Sequence, residues 1–188
     1  TAVNPPSSLG FVRRSDLAVE EVPVVFPRPH ALAVGPDGHH VYTASLAQNQ
    51  LVAVDVETGD ATFTPVEVDG GMHGGMAATF VQFAVAPDGR RLYLTGEMTD
   101  RVHVFDLADP AHPALLPSVA VGARPWHPVF TPDGRFLYVP NKGDHDVSVI
   151  DAVTQSVVAV VRGDGLAEPH GSAVRPDGRY VYVSNNNT

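Results

Sequence analysis

The 188 residues carry 12 basic and 21 acidic side chains, a formal charge of −9, and no cysteine. That balance argues against general nucleic-acid binding, which rests on phosphate neutralisation by Lys and Arg, and against adhesion to anionic lipid. Without cysteine there is no disulfide, thiolate metal site or cysteine nucleophile, and no apolar run of 18 residues predicts a membrane span.

In chain order, residues 1–9 read as an irregular lead-in, and residues 10–25 as two strands around Arg14-Ser15-Asp16. Three four-stranded units follow, at about 29–68, 79–121 and 126–162. Residues 169–188 supply two further strands. Every unit turns on Pro-Asp-Gly. The proline presets φ, the aspartate bonds its own backbone two residues on, and the glycine takes the positive φ. The turn aspartates are Asp37, Asp88, Asp133 and Asp177, spaced 51, 45 and 44 residues apart. A period of roughly 40–50 residues with four short strands per unit is the signature of a β-propeller blade.

The expected fold is therefore all-β, a propeller of four-stranded antiparallel blades, about four blades' worth in this chain. The two outer strands at the start and the two inner strands at the end admit two readings. They pair with each other in a four-bladed ring, or they belong to a six- to eight-bladed ring completed by a second chain or segment. The larger ring is the preferred reading.

The stretches Pro-Asp-Gly-Arg-Phe-Leu-Tyr-Val-Pro-Asn (132–141), Pro-Asp-Gly-Arg-Tyr-Val-Tyr-Val-Ser-Asn (176–185) and Val-Ser-Val-Ile-Asp (147–151) resemble the YVTN family of propeller repeats, the cytochrome d1-like or surface-layer type. The resemblance covers about residues 10–188. It implies a periplasmic or secreted protein, with members that are binding modules, haem d1 or copper oxidoreductases, or lactonase-like enzymes. Fold alone does not choose among these.

The histidines are the main lead to chemistry. The first strand of a blade lines the central channel, so residues at its start gather at one mouth. His30, His127 and His170 lie there, six or seven residues before the turn aspartate. His73 lies in an insertion, Asp69-Gly70-Gly71-Met72-His73-Gly74-Gly75-Met76. Imidazole suits copper, zinc and iron, and thioether favours Cu(I), so His30, His73, His127, His170, Met72 and Met76 form a candidate set for copper or for a haem-type cofactor. The plainer reading makes them structural or substrate-lining. His127 also stands one residue out of step with His30 and His170, which in a regular strand turns it to the opposite face. Convergence requires a bulge near Pro128.

Trp126 and Arg124 join His30, His127 and His170 as candidate ligand contacts. His103 and His112 are expected at the surface. The stretch from His127 to Asp146 also resembles lactonase-like propellers, in which channel His, Arg and Glu residues polarise an ester and activate water. The resemblance offers Arg28, Glu97, Arg124 and Glu168 for those roles. The leading expectation is an extracytoplasmic module that binds a small molecule or protein partner at the channel mouth. The alternative is an enzyme there, either a copper or haem oxidoreductase or a lactonase-like hydrolase.

Overall fold

The computed structural model describes residues 7–24, 26–68 and 77–187. Among them the regular structure is entirely β, and no helix is long and apolar enough to cross a membrane. A hairpin of β1 (Ser7–Val12) and β2 (Val19–Val24) comes first. The first full sheet is β3 (Pro29–Val34), β4 (His40–Ser45), β5 (Gln50–Asp55) and β6 (Ala61–Pro65). The second is β7 (Phe80–Val85), β8 (Arg91–Gly96), β9 (Arg101–Asp106) and β10 (Ala114–Ala120). The third is β11 (Val129–Phe130), β12 (Phe136–Asn141), β13 (Asp146–Asp151) and β14 (Ser156–Val161). A second hairpin, β15 (Pro169–Val174) and β16 (Val181–Asn185), closes the described chain.

Each four-stranded sheet is an antiparallel meander in sequence order, as a propeller blade is. Successive blades pack face on face, with β3 against β7, and β11 and β12 against β15. The core is accordingly divided into seams between blades. Tyr42, Leu51, Phe80, Leu92 and Phe105 fill the seam between the first two full blades. Tyr93, Val104, Leu137 and Ile150 fill the next. Leu9, Val24, Val41 and Val54 join the opening hairpin to the first full blade. Tyr42 and Tyr93 are 0% exposed. Their hydroxyls keep partners: Tyr42 donates to the Pro110 carbonyl, and Tyr93 receives the Gln155 amide. This is the polar handle a buried tyrosine needs.

The Pro-Asp-Gly turns perform two tasks. Locally, each aspartate Oδ1 accepts the backbone N–H two residues on, at His39, Arg90, Arg135 and Arg179. Each turn glycine holds φ between 70° and 74°. Between blades, Gly89, Gly134 and Gly178 each lie against the proline of the preceding turn. A Cβ on Gly89 would stand 2.7 Å from Pro36 Cβ, one on Gly134 3.3 Å from Pro87 Cδ, and one on Gly178 3.6 Å from Pro132 Cδ. The repeated motif is therefore an interlock between neighbouring blades as well as a turn.

Candidate functional site at the channel mouth

The opposite end of the blades from these turns carries a second repeated device. The residue that leads into each inner strand is non-glycine with positive φ: Arg28 (54°), Thr79 (52°), Arg124 (54°) and Glu168 (51°). Each offers its carbonyl to the residue just past the second strand, bonding to the N–H of Leu46, Glu97, Lys142 and Asn186. Left-handed backbone costs about 1–2 kcal/mol per non-glycine residue. Hydrogen bonds from the neighbouring blade offset that cost. Asn49 Oδ1 accepts the Ala78 N–H at 2.7 Å, Asp100 Oδ1 accepts the Arg124 N–H at 2.9 Å, and His145 Nδ1 accepts the Glu168 N–H at 3.0 Å.

Beyond the left-handed residue, each inner strand holds one residue more than its partner strand. The register slips between Pro29 and Ala31, between Phe80 and Gln82, and between Pro169 and Ser172. In the third full blade, Pro125 bridges Asn141 and regular pairing resumes only at Val129 with Tyr138. Bulges of this kind re-aim side chains. Residues 126–128 are thus outside regular strand, but every inner strand carries the same extra residue, so Trp126, two residues after its left-handed residue, holds the station of His30 and His170, and His127 stands one position beyond it.

Residues of neighbouring blades meet across the seams at this end. The His127 N–H donates to the His170 carbonyl at 3.2 Å, and the Ser172 hydroxyl donates to the His127 carbonyl. The Trp126 and His170 rings stack at 4.0 Å, tilted by 33°. Lys142 Nζ lies 5.5 Å from the Trp126 ring centre and 3.9 Å from Glu168 Oε2. His30 Nδ1 meets the Val81 carbonyl at 2.8 Å. A carbonyl only accepts, so Nδ1 carries a proton, and in the neutral ring the lone pair is at Nε2.

Glu97 is 9% exposed, and its Oε1 receives both Nε (3.0 Å) and Nη2 (2.5 Å) of Arg124. Burial pushes the His127 imidazole below its ordinary value. Burial does the same to His170, reinforced by the charges of Lys142, His127 and His30 and opposed by Glu97. His127 and His170 are thus held toward the neutral form, the state in which an imidazole accepts a proton or a hydrogen bond. Trp126 Nε1 and His127 Nδ1 are buried without a partner among the described residues.

The remaining expected residues fall as follows. Arg28 is exposed beside the mouth, and Glu168 is half-buried there. Met72, His73 and Met76 lie outside the described residues. Among the described residues no three His, Asp or Glu side chains are arranged to hold a metal ion. His30, His127 and His170 are therefore not brought into such a group, and the rest of the set expected for copper or haem, Met72, His73 and Met76, is outside the described residues. His112 is exposed, whereas His103 is 3% exposed and corrects the surface expectation. It lies edge-on to Phe80 with centroids 5.3 Å apart, and Nε2 pairs with the Thr99 hydroxyl at 3.0 Å. Burial, helped by Arg101, pushes its pKa down to about 4.

Sequence reasoning missed Asp100, Lys142 and His145. For Asp100 and His145 the signal was positional: like Asn49, each occupies the residue just before a third strand. A cavity of about 610 Å³ opens beside the mouth, lined by Asp100, Arg101, His103, Ala123 and Asp144 among others.

The family described as lactonase, 7-bladed beta-propeller, matches residues 19–188. The chain belongs to this lactonase family. The matching family is thus the lactonase propeller, not the surface-layer repeat. A 6-phosphogluconolactonase of Photorhabdus laumondii is 26% identical over 182 residues, covering 91% of this chain and 54% of the relative. One of Enterobacter sp. is 25% identical over 170 residues, covering 82% of this chain and 49% of the relative. The chain therefore spans about half the length of these curated relatives. Among solved structures, the Pseudomonas aeruginosa periplasmic gluconolactonase superposes with a TM-score of 0.75 at 21% identity, over 95% of this chain and 56% of that one. Kuenenia stuttgartiensis hydrazine synthase superposes with a TM-score of 0.73 at 23% identity, over 88% and 44%. These likenesses carry the fold. The family match favours the hydrolase alternative over the binding-module expectation.

Proposed function

We propose that the lactonase propeller to which this chain belongs hydrolyses a sugar-derived lactone at the mouth formed by His30, Glu97, Arg124, Trp126, His127 and His170. The observation that carries the reading is the nearly buried Glu97 carboxylate holding Arg124 beside imidazoles kept toward neutrality. Such an arginine is a preorganised cation for the oxygen that gains charge when water attacks a carbonyl. The His30 lone pair at Nε2, fixed by the Val81 carbonyl, is the base. Water adds to the lactone carbonyl carbon as one proton passes to the imidazole. The ring C–O bond then breaks, and the same proton returns to the departing oxygen. The product is the open hydroxy acid, and no redox partner is required.

Two features belong to the same proposal. Further blades complete a seven-bladed ring and cover the flanks where Leu32, Tyr180 and Tyr182 are more than half exposed. The location is periplasmic or secreted, supported by the likeness to the periplasmic gluconolactonase and tested by cell fractionation. Activity is tested by following acid release from gluconolactone and 6-phosphogluconolactone, with spontaneous hydrolysis subtracted. Turnover above background that falls by about 10²–10³-fold in Arg124→Ala and in His30→Ala is the expected result. Turnover unchanged in both variants overturns the assignment.

A further inference from the structure

Three seams repeat one contact, in which the residue before a third strand bonds a backbone N–H of the next blade's lead-in segment. At two of them the acceptor is Asn49 or His145. At the middle seam the acceptor is the carboxylate of Asp100, and the N–H belongs to Arg124. Asp100 holds positive φ itself, at 53°, which places its side chain across the seam. Arg124 is then fixed at three points. Its N–H goes to Asp100, its carbonyl takes the Lys142 N–H at 2.9 Å, and its guanidinium goes to Glu97. The preceding residue is held as well, since the Ala123 N–H donates to Asp144 Oδ2 at 2.8 Å.

We propose that Asp100 is a positioning residue for the hydrolytic site: it holds Arg124 in the left-handed conformation that aims the guanidinium at Glu97. Without that acceptor the Arg124 backbone relaxes toward negative φ, its Cβ swings, and the ion pair is no longer presented at the mouth. Asp100 touches no substrate in this role; it acts through Arg124. The kinetic part of the proposal rests on the lactonase reading, and the spectroscopic part does not.

The test compares Asp100→Gly, which deletes the acceptor while keeping the left-handed backbone free of strain, with Asp100→Asn, which keeps Oδ1. Asp100→Gly is expected to lower kcat on the order of 10²-fold, the scale of a 1 Å misplacement, with KM changed far less. Asp100→Asn is expected to restore kcat to within about threefold of the parent, since its amide oxygen accepts the same bond. In an Arg124→Ala background, Asp100→Gly is expected to change kcat no further, because the two act as one unit. Independently of any turnover, the Arg124 Nε–H resonance in a ¹⁵N spectrum is expected to be protected in the parent and in Asp100→Asn, and to join the averaged arginine signal in Asp100→Gly.

The proposal is overturned if Asp100→Gly leaves the Nε–H resonance protected, or if Asp100→Asn loses as much as Asp100→Gly. It is also overturned if the kcat loss persists undiminished without the Arg124 side chain. Absence of lactone turnover in the parent protein refutes the functional reading alone, and the Nε–H comparison still decides the positioning role.

Discussion

The Pro-Asp-Gly interlock makes a graded prediction within one motif. Gly38, Gly178, Gly134 and Gly89 share a turn and a positive φ, so replacing each with alanine imposes the same backbone penalty. That penalty is about 1–2 kcal/mol, reduced by ~0.4–1 kcal/mol because alanine also restricts the unfolded chain. What differs is the space. A Cβ at Gly38 meets nothing within 4 Å, and one at Gly178 meets Pro132 at 3.6 Å, ordinary contact. At Gly134 the distance to Pro87 is 3.3 Å, and at Gly89 the distance to Pro36 is 2.7 Å, backed by the ring. Carbon atoms prefer roughly 3.5–4.0 Å, so Gly89→Ala must push two turns apart by about 1 Å. Overpacking of that kind costs about 1–3 kcal/mol beyond the backbone term. Urea unfolding at constant m gives each value from the midpoint. The expected order of destabilisation is Gly38 and Gly178 least, Gly134 intermediate and Gly89 greatest, with about 2–4 kcal/mol at Gly89. Four equal values would refute the interlock and leave the motif as a turn alone.

Further outcomes are expected at other positions. The pKa of His103 is depressed in the fold, from 6.5 to about 4, so the unfolded chain binds the extra proton first as pH falls. Stability therefore declines between about pH 6.5 and 4, by up to about 3 kcal/mol from this group, and the acid limb of a midpoint-versus-pH curve flattens in His103→Gln. Asn141 is 0% exposed and donates to Asp146 Oδ1 and Ser148 Oγ, so Asn141→Ala is expected to lower stability by about 2–4 kcal/mol, read from the denaturant midpoint. Glu97→Gln removes the charge that holds Arg124, and kcat/KM for lactone hydrolysis is expected to fall by about 10²-fold, with the unfolding midpoint little changed. Trp126 is the sole tryptophan and stacks on His170, so its fluorescence is expected to be quenched as the imidazole gains a proton. Because that pKa is lowered, the quenching midpoint falls below the ordinary histidine value, and it disappears in His170→Gln.

The fold was legible because two signals agreed: alternating apolar residues in short runs, and a turn whose three residues each have a conformational reason. Of the candidate site, the sequence offered the inner-strand starts, where Trp126 stacks on His170 and the His127 N–H meets the His170 carbonyl. Two features resisted. The extra residue that puts Trp126, not His127, at the station of His30 and His170 depends on pairing between Pro125 and Asn141, which no local pattern encodes. The burial of His103 depends on its place in a third strand covered on both faces, where β9 is buried from Val102 to Phe105 without alternation. Reading polarity as exposure fails in such a strand, because neighbouring blades exclude water from both sides.

The four left-handed lead-in residues are Arg, Thr, Arg and Glu, yet their backbones accept the same bond from the blade that follows them. Shape at each station is supplied by peptide groups and by the adjoining blade, and the side chain is left free to vary. The rim therefore works as a set of interchangeable sockets. Its ligand preference can be rewritten one socket at a time, with Thr79 the neutral slot, while the scaffold beneath stays as it is.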